Sequence, residues 1–530
     1  MVNLRRTDRA LAAAFGRLPL APPRGHTLRV VVFCPPGRAS GRGVRALHGA
    51  FPGAQVWAHE GRTIAQCDRV LRRRGPVDLV VVLSPAPAAR QLRQLRELLP
   101  HLSPGGIYVV DRAAVTPGPG DLDAGLAKGG ALVSRTWADG RLVGVVKRRE
   151  TYLELRHAEA TGLINTRPGE LTATELAVLP GGVLPAPPVA IHGGARPGLL
   201  ADLPYPPLQL RRYEGDLAVA SGSIVYADGV LLPDSFRWHL ADELSHARLV
   251  GVRGHFARPT EEPPTVRLPG AFYHFDYVNT GHYGHLMTEA LSKLWGWETA
   301  KAADPDLKLL HRTHRRFQGT DRVPPDIELL TRYGIDPDDI VSVDGPVRVD
   351  TLVAATPMWH NQDPFSAHPG IAEVWDRLRE RMVEPGGPTP ERIFVTRRGG
   401  SRACRNSDEV EKAFADAGFD IVFPGGMTQP QQATLMAGAR VVAGFAGTGM
   451  FNLAYAHQVE HVVVLSQDSY DARNEHLFAA VHGSAVAYFF NPAEIAHPPG
   501  GWSEEAFHSP WSFDFDRNGA ALQARLRELG

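Results

Sequence analysis

A glycine-rich turn after an apolar run is suited to binding an anion. The apolar run 441–443 leads into Gly444-Phe445-Ala446-Gly447-Thr448-Gly449, and residues 450–456 are compatible with a helix. A strand that ends in glycines before a helix N-terminus exposes free backbone N–H groups and the positive end of the helix dipole. Such a turn suits a phosphate or pyrophosphate. The alternative is that Gly447 and Gly449 only make a tight strand-to-helix connection.

An arginine-rich loop follows another apolar run about forty residues upstream. The run 393–395 is followed by four arginines, at positions 397, 398, 402 and 405. In an open α/β sheet, ligands bind beyond the carboxyl ends of the strands, and arginine forks match phosphate oxygens. We therefore expect the loop and the glycine turn to meet on one anionic group. A solvated loop paired with surface carboxylates is the alternative.

A third group, His282, His285 and Glu289, could transfer a proton. A helix from about Tyr283 would place the three side chains on one face, at spacings of three and four residues. A carboxylate one turn away can hold a histidine in one tautomer, which suits a general base. Two alternatives remain: the histidines cap and pack the helix, or the pair binds a metal.

The elements that must position these residues form βαβ repeats. In the C-terminal part the patterns predict strands at 392–396, 419–423, 441–444 and 461–465, with helices at 407–417 and 429–437. Near the N-terminus, apolar runs at 28–33, 77–83 and 107–110 predict a parallel sheet, with an edge strand at 142–146 and a helix at 90–99. Both patterns indicate doubly wound α/β domains.

Length and charge exclude several classes of protein. A chain of 530 residues is too long for one core, so two or three domains are expected. Its 57 basic and 57 acidic side chains balance, which argues against binding nucleic acid. Three widely separated cysteines, an N-terminus interrupted by Arg17 and the lack of a long apolar run predict a cytoplasmic chain without disulfides, signal peptide or transmembrane segment.

Three blocks of sequence, 282–295, 393–406 and 444–452, resemble glycosyltransferase family 61 in order and spacing. The resemblance covers roughly residues 205–490. It implies a GT-B-like pair of Rossmann-like lobes with the donor held mainly by the C-terminal lobe. It also implies inverting transfer of a hexosyl or pentosyl group from a nucleotide diphosphate sugar to a hydroxyl of a glycan, polysaccharide or glycoconjugate precursor. No metal and no further cofactor are expected, and a homo-oligomer is left open.

The resemblance also assigns roles to particular residues. On the donor side, Arg397, Arg398 and Arg402 would face the diphosphate, together with the backbone at Gly447, Thr448, Gly449 and Met450. On the acceptor side, His285 and Glu289 would be catalytic. Further donor or acceptor contacts are expected from His282, Asn406 and Asn452.

The chain departs from the family pattern at two polar positions. Many members have His-Gly-Ala-Gly in the glycine turn, where this chain has Ala446-Gly447-Thr448-Gly449. Many have a carboxylate at the end of the next strand, where this chain has Val464-Leu465. A transferase that has lost catalysis and serves as a binding or scaffold protein is therefore the alternative function.

The N-terminal block resembles, more faintly, a class I methyltransferase. Glu60 ends the second predicted strand, where such folds place the carboxylate that holds a ribose. Residues 99–106, just before the predicted strand 107–110, resemble a sequence pattern that is common in that fold. The cofactor loop 34–43 departs from Gly-x-Gly-x-Gly, and its two prolines remove backbone donors. We expect a degenerate, non-catalytic Rossmann-like domain, with an active methyltransferase as the alternative.

The expected fold class is thus α/β, with a GT-B-like pair of lobes preceded by an additional Rossmann-like domain. The expected division is an extension, the Rossmann-like domain, a linker region, the acceptor-side lobe, the donor-binding lobe and a helical tail, at 1–25, 26–150, 151–207, 208–385, 386–495 and 496–530.

Overall fold

The computed structural model of the protein describes residues 6–20, 26–35, 41–61, 63–116, 122, 125–126, 130, 132–194, 196–320 and 323–530. The expected extension 1–25 and the expected cofactor loop 34–43 lie partly outside these residues. Three large sheets, called here the N-terminal, middle and C-terminal sheets, make up the fold. Several of their strand pairs are parallel and are connected by helices, so the predicted α/β fold class is confirmed.

The N-terminal sheet has six strands, of which the first four in spatial order are parallel. In that order they are Gln55–Glu60, Arg29–Cys34, Val77–Val82, Leu102–Asp111, Leu142–Lys147 and Val133–Asp139. Its strands Arg29–Cys34 and Val77–Val82 are buried along nearly their whole length, as expected of a sheet covered on both faces. The covering helices are Arg6–Phe15, Arg42–Ala50, Ile64–Arg74 and Ala88–Leu98.

The middle sheet has eleven strands and combines antiparallel and parallel pairs. Its parallel part contains Val347–Ala355, Arg267–His274, Lys308–Arg312 and Ile340–Val343, in this spatial order. The other part is formed by Leu249–Arg253, Phe256–Pro259, Tyr152–Glu154, Val230–Leu231, Val225–Ala227, Leu208–Val219 and Thr172–Leu179. Its pairs are antiparallel except that of Tyr152–Glu154 with Val230–Leu231, which is parallel. Helices Ala160–Thr166, Pro325–Tyr333 and Ile371–Met382 accompany this part of the chain.

The C-terminal sheet has six strands, and all its pairs are parallel. The spatial order is Val189–His192, Ala485–Asn491, His461–Gln467, Val441–Phe445, Arg392–Val395 and Asp420–Val422. The strands and helices predicted here are confirmed to within a few residues. The helices are Ser407–Asp416, Gln429–Ala437, Asn474–His482, Glu504–Phe507 and Phe515–Leu529, with a 3₁₀-helix at Thr448–Tyr455.

The stretch expected to be a linker region, 151–207, contributes strands to two sheets. Thr172–Leu179 pairs with Leu208–Val219 in the middle sheet, and Val189–His192 forms an edge of the C-terminal sheet beside Ala485–Asn491. Proline has no N–H to donate, but its carbonyl can still accept a hydrogen bond at the edge of a sheet. Pro188 does so here, because its carbonyl accepts the Val486 N–H at 2.8 Å. The described part of the stretch therefore contributes a strand to each of the two sheets.

One helical segment, whose first turns line the cleft described below, is not a uniform α-helix. It begins as Tyr283–His285, continues as a π-helix at Leu286–Ala290 and a 3₁₀-helix at Leu291–Gly296, and ends as Trp297–Ala303. The helix that the sequence predicts from about Tyr283 therefore begins where expected, but it changes its winding along its length. Separately, within the described residues, no helix combines the length and apolar character that crossing a bilayer requires.

Candidate functional site

The glycine turn joins the strand Val441–Phe445 to the 3₁₀-helix Thr448–Tyr455. Gly447 has φ of +126°, a region that favours glycine. Its N–H donates to Glu475 Oε1 at 2.6 Å, and its carbonyl accepts the Met450 N–H at 2.9 Å. Two of the four expected amides are therefore engaged within the protein. Those of Thr448 and Gly449 begin the helix, where N–H groups have no acceptor inside it.

The arginine loop lies against this turn. Arg397 donates from Nη2 to the Ala446 carbonyl at 3.1 Å. A Cβ atom on Gly447 would lie 2.2 Å from Arg397 Nη2 and 2.9 Å from Arg402 Nη2, so both guanidinium groups pack on the glycine. Burial, reinforced by the neighbouring Arg402, lowers the pKa of Arg397 to about 10. The structure thus brings two of the three predicted diphosphate-binding arginines to the turn.

Arg402 is held in an unusual conformation among aromatic rings. Its φ is +59°, which is rare for a residue other than glycine and typically costs about 1–3 kcal/mol. The guanidinium lies 4.6 Å from the ring centroid of Tyr470 and 5.2 Å from that of Phe507. Its Nη1 is 3.2 Å from His508 Nδ1. These contacts fix a cation at the wall of the cleft.

Three predicted contact residues face other partners. Arg398 forms a bidentate ion pair with Glu411, with Nη2 3.0 Å from Oε2. Asn406 bonds the backbone of Phe513 through both side-chain atoms, at 3.0 and 2.8 Å. Asn452 is fully buried and accepts the Tyr283 hydroxyl at 2.8 Å. The structure does not bring these three side chains to the cleft.

His285 and Glu289 form the pair that the sequence predicts. His285 Nδ1 lies 2.6 Å from Glu289 Oε1, and its Nε2 lies 3.1 Å from the Asn279 side-chain amide nitrogen. An amide donor at Nε2 and a carboxylate at Nδ1 together select the tautomer that carries its proton on Nδ1. Nε2 is then the basic nitrogen. A π-turn such as the one that contains Glu289 is frequent at functional sites.

A third residue, Arg237, forms an ion pair with Glu289 from a loop in the middle part of the chain. Its Nε lies 2.6 Å from Glu289 Oε1. Burial alone would raise the pKa of Glu289, but His285 and Arg237 hold it below the ordinary value of 4.5. The carboxylate therefore stays ionised. His282 lies beside the pair, 4.6 Å between ring centroids, and burial and His285 lower its pKa to about 4.

One cleft of about 1140 Å³ joins the two groups of residues. His282 and His285 line it together with Arg402 and Thr448. Its volume slightly exceeds the roughly 300–1,000 Å³ of ordinary small-molecule sites. The remaining lining includes, on one side, residues 237, 238, 279–281, 314, 316, 361, 362 and 365, and on the other side residues 470–472, 474, 502, 504, 507 and 508.

The structure adds functional candidates that the sequence did not predict. Arg237 and Asn279 adjoin the histidine pair, and Glu475, Tyr470 and His508 adjoin the two arginines. Glu475 supplies a buried carboxylate at the turn, where Val464 lacks one, and burial raises its pKa above 4.5. None of these residues belongs to a spaced motif. Only the position of Glu475, at the start of the helix after a C-terminal sheet strand, could have drawn attention to it.

A resident metal has no evident ligand set in the part of the chain that is described. No three His, Cys, Asp or Glu side chains there group as metal ligands would. His282 and His285 are close to each other, but the carboxylate beside them is already paired with Arg237.

The geometry defines a class: an α/β protein whose parallel C-terminal sheet presents cations to a cleft that also contains a histidine–carboxylate pair. Residues 283–463, about a third of the chain, match the family model described as Glycosyltransferase 61. This segment includes His285, Glu289, both arginines at the turn and the turn itself. The resemblance predicted from the three blocks is confirmed over this segment, and the match supports glycosyltransferase activity in general.

Similarity to solved structures is weak and partial. MycE methyltransferase from the mycinamycin biosynthetic pathway, in complex with Mg, SAH and mycinamycin VI, is 17% identical, with a TM-score of 0.21 over 27% of this chain and 53% of that chain. A further MycE structure with Mg and SAH is 18% identical, with a TM-score of 0.22 over 28% and 56%. The methyltransferase SibL in its apo form is 18% identical, with a TM-score of 0.19 over 27% and 55%. The chain thus spans little more than half the length of these structures. No curated protein matches it.

Proposed function

We propose that the protein is an inverting glycosyltransferase that moves a hexosyl or pentosyl group from a nucleotide diphosphate sugar to a hydroxyl of a glycan or glycoconjugate precursor. The observation that carries the proposal is that a single cleft is lined by His285 on one side and by Arg402 and Thr448 on the other. A base and an anion site that face one space are what a one-step transfer requires.

In the proposed reaction His285 removes the proton of the acceptor hydroxyl. The hydroxyl replaces the Asn279 amide at Nε2, and Glu289 stabilises the imidazolium that forms at the other nitrogen. The acceptor oxygen attacks the anomeric carbon while the bond from that carbon to the diphosphate oxygen breaks. Attack from the face opposite the leaving group inverts the configuration.

The leaving nucleotide diphosphate gains negative charge, and the cations at the turn are suited to stabilise it. Arg397 and Arg402 can bind phosphate oxygens, and the N–H groups of Thr448 and Gly449 add donors. A fixed donor of this kind commonly contributes about 10²–10³ in rate. We propose that these groups serve without a metal ion or other cofactor. The C-terminal sheet would then form the donor lobe and the middle sheet the acceptor lobe.

A second candidate function has one observation in its favour. The Glu475 carboxylate accepts the Gly447 N–H at 2.6 Å, so part of the anion site is occupied from within, and Ala446 supplies no imidazole. A protein that binds a nucleotide sugar without transferring the sugar would retain Arg402 and need no base. Nucleotide-sugar binding with neither transfer nor hydrolysis would favour this function.

The donor site is tested with Arg402→Ala and a matched control, Arg405→Ala. Both arginines belong to the same loop, but Arg405 is exposed and paired with Glu494 outside the cleft. Calorimetric titration with UDP, GDP and dTDP should show binding of at least one of them to the wild type. Loss of a charge-assisted contact should weaken that binding about tenfold or more in Arg402→Ala, and Arg405→Ala should resemble the wild type.

Arg402→Lys serves as the check on folding. It keeps the positive charge and loses only the two-point geometry of the guanidinium group. It should bind the same nucleotide with intermediate affinity. Equal affinity in the wild type and Arg402→Ala, or no binding of any of the three nucleotides to the wild type, would contradict the proposed function.

A further inference from the structure

The two walls of the cleft differ in charge. The wall formed by the cleft-lining residues between 237 and 365 is called here the acceptor wall. Among the residues that the structure describes, it includes two arginines and three histidines but no aspartate or glutamate. The two carboxylates that line the cleft, Asp471 and Glu504, both lie on the opposite wall. The acceptor wall is therefore the more basic one, although the donor diphosphate has its own cations at the glycine turn.

Arg316 supplies a positive charge on the acceptor wall that has no carboxylate partner among the described residues. Its Nη2 donates to the Gly281 carbonyl at 3.2 Å, and its guanidinium carbon lies 4.6 Å from the ring centroid of Phe317. These contacts hold the guanidinium at the cleft without neutralising it. Among the residues that the structure describes, no carboxylate pairs with it, whereas Arg237 is paired with Glu289.

His314 adds a neutral donor next to Arg316. The Arg316 backbone N–H donates to His314 Nδ1 at 3.3 Å, so the ring proton is carried on Nε2. The ring packs over Gly281, where a Cβ atom would lie 2.6 Å from its Cγ. Gly281 has φ of +82° and immediately precedes His282. The turn therefore places the Arg316–His314 pair next to the histidines of the site.

We propose that the acceptor carries an anionic group, a carboxylate or a phosphate, which Arg316 and the Nε2–H of His314 bind while the acceptor hydroxyl lies at His285. This inference rests on the proposed function, because it names the substrate class of that same cleft. A guanidinium fork matches a carboxylate or a phosphate in two-point geometry. A uronic acid residue and a sugar phosphate are the two sources of such a group.

The test compares neutral and anionic sugars in pairs that share a ring. Methyl β-D-glucuronide is compared with methyl β-D-glucoside, and glucose 6-phosphate with glucose, by saturation-transfer NMR. Each comparison is made with and without a saturating amount of whichever of UDP, GDP and dTDP binds the wild type. The wild type should bind one anionic member about tenfold more tightly than its neutral partner, as expected of one charge-assisted contact. The pair that shows the preference identifies the carboxylate or the phosphate as the group recognised.

Arg316→Ala should abolish the preference, and Arg315→Ala is the matched control. Arg315 is exposed, adjacent in sequence and absent from the cleft lining. A wild type without preference, or a preference that survives in Arg316→Ala, would overturn the inference. An Arg316→Ala variant that instead loses binding of the nucleotide diphosphate would also overturn it. In the first two cases the proposed function would still stand if nucleotide binding depends on Arg402. A preference that depends on Arg316 in a protein that binds no nucleotide supports the anion site and contradicts the proposed function.

Discussion

At the scale of single residues, Gly447 determines where Arg397 can lie. Its φ of +126° already disfavours other residues, and an added Cβ would lie 2.2 Å from the Arg397 guanidinium. Gly400, in the arginine loop, also has a positive φ, +79°, but its Cβ would meet no heavy atom within 4 Å. A substitution at Gly400 would therefore add backbone strain alone, whereas one at Gly447 would add strain and also displace Arg397.

We expect Gly447→Ala to weaken nucleotide diphosphate binding about tenfold or more, because the methyl group pushes Arg397 away from the turn. Gly400→Ala should lose only about 1–2 kcal/mol of stability through backbone strain and keep its affinity. Titration with the nucleotide that binds the wild type, together with thermal unfolding, measures both effects. Equal affinities in the two variants would show that Arg397 is not placed by the glycine.

The sequence could predict that arginines meet the glycine turn, but not which of them do so. Arg397 and Arg398 are neighbours after one strand and have the same chemistry. Arg398 turns to Glu411, a partner from the following helix, while Arg397 turns to the Ala446 carbonyl. Contacts of this kind depend on distances between elements, so a sequence pattern carries no signal for them. For the same reason Arg237 and Glu475 were missed.

At the scale of elements, the continuous β-branched runs predicted the strands of the C-terminal sheet correctly. The pairing of Val189–His192 with Ala485–Asn491 could not be predicted, because nearly three hundred residues separate the two strands. The π-turn at Leu286–Ala290 was also beyond prediction, since spacings of three and four residues fit an α-helix equally well.

A partly buried hydrogen bond connects the helical segment at His285 to the 3₁₀-helix after the glycine turn. The Tyr283 hydroxyl donates to Asn452 Oδ1, and Asn452 Nδ2 donates to Gln432 Oε1 at 2.8 Å. Asn452 is fully buried, so loss of the donor would leave Oδ1 without a partner.

We expect Tyr283→Phe to loosen the 3₁₀-helix Thr448–Tyr455 by about 1–3 kcal/mol, the usual cost of an unsatisfied buried acceptor. Native-state hydrogen exchange should show faster exchange of amides in this helix. Amides of the strand Ala485–Asn491 provide an internal control and should exchange as in the wild type. Unchanged exchange at Thr448–Tyr455 would show that the hydroxyl does not couple the two elements.

At the scale of the whole molecule, Lys147 lies where the N-terminal sheet meets the middle sheet. It ends the strand Leu142–Lys147, and its Nζ donates to the carbonyls of Pro100 and Leu102 and to Thr151 Oγ1, which precedes the strand Tyr152–Glu154. The side chain is almost completely buried, and this burial lowers its pKa from 10.5 to about 7.

The shift predicts how stability changes with pH. Between about pH 7 and pH 10.5 the unfolded chain holds the Lys147 proton and the folded protein releases it, so the free energy of unfolding should rise with pH in this window. Lys147→Met removes the lysine donor from the Leu102 carbonyl, whereas the Pro100 carbonyl keeps the Thr151 hydroxyl as a donor at 2.7 Å. Because methionine cannot titrate and only the wild type gains stability as the pH rises, the deficit of Lys147→Met should grow from pH 7 to pH 10. Lys412→Met, at an exposed pair with Asp416, is the control and should show a constant difference. Midpoints of thermal unfolding at pH 7, 8.5 and 10 provide the comparison. A deficit of Lys147→Met that does not change with pH would mean that the buried lysine keeps its proton throughout the window.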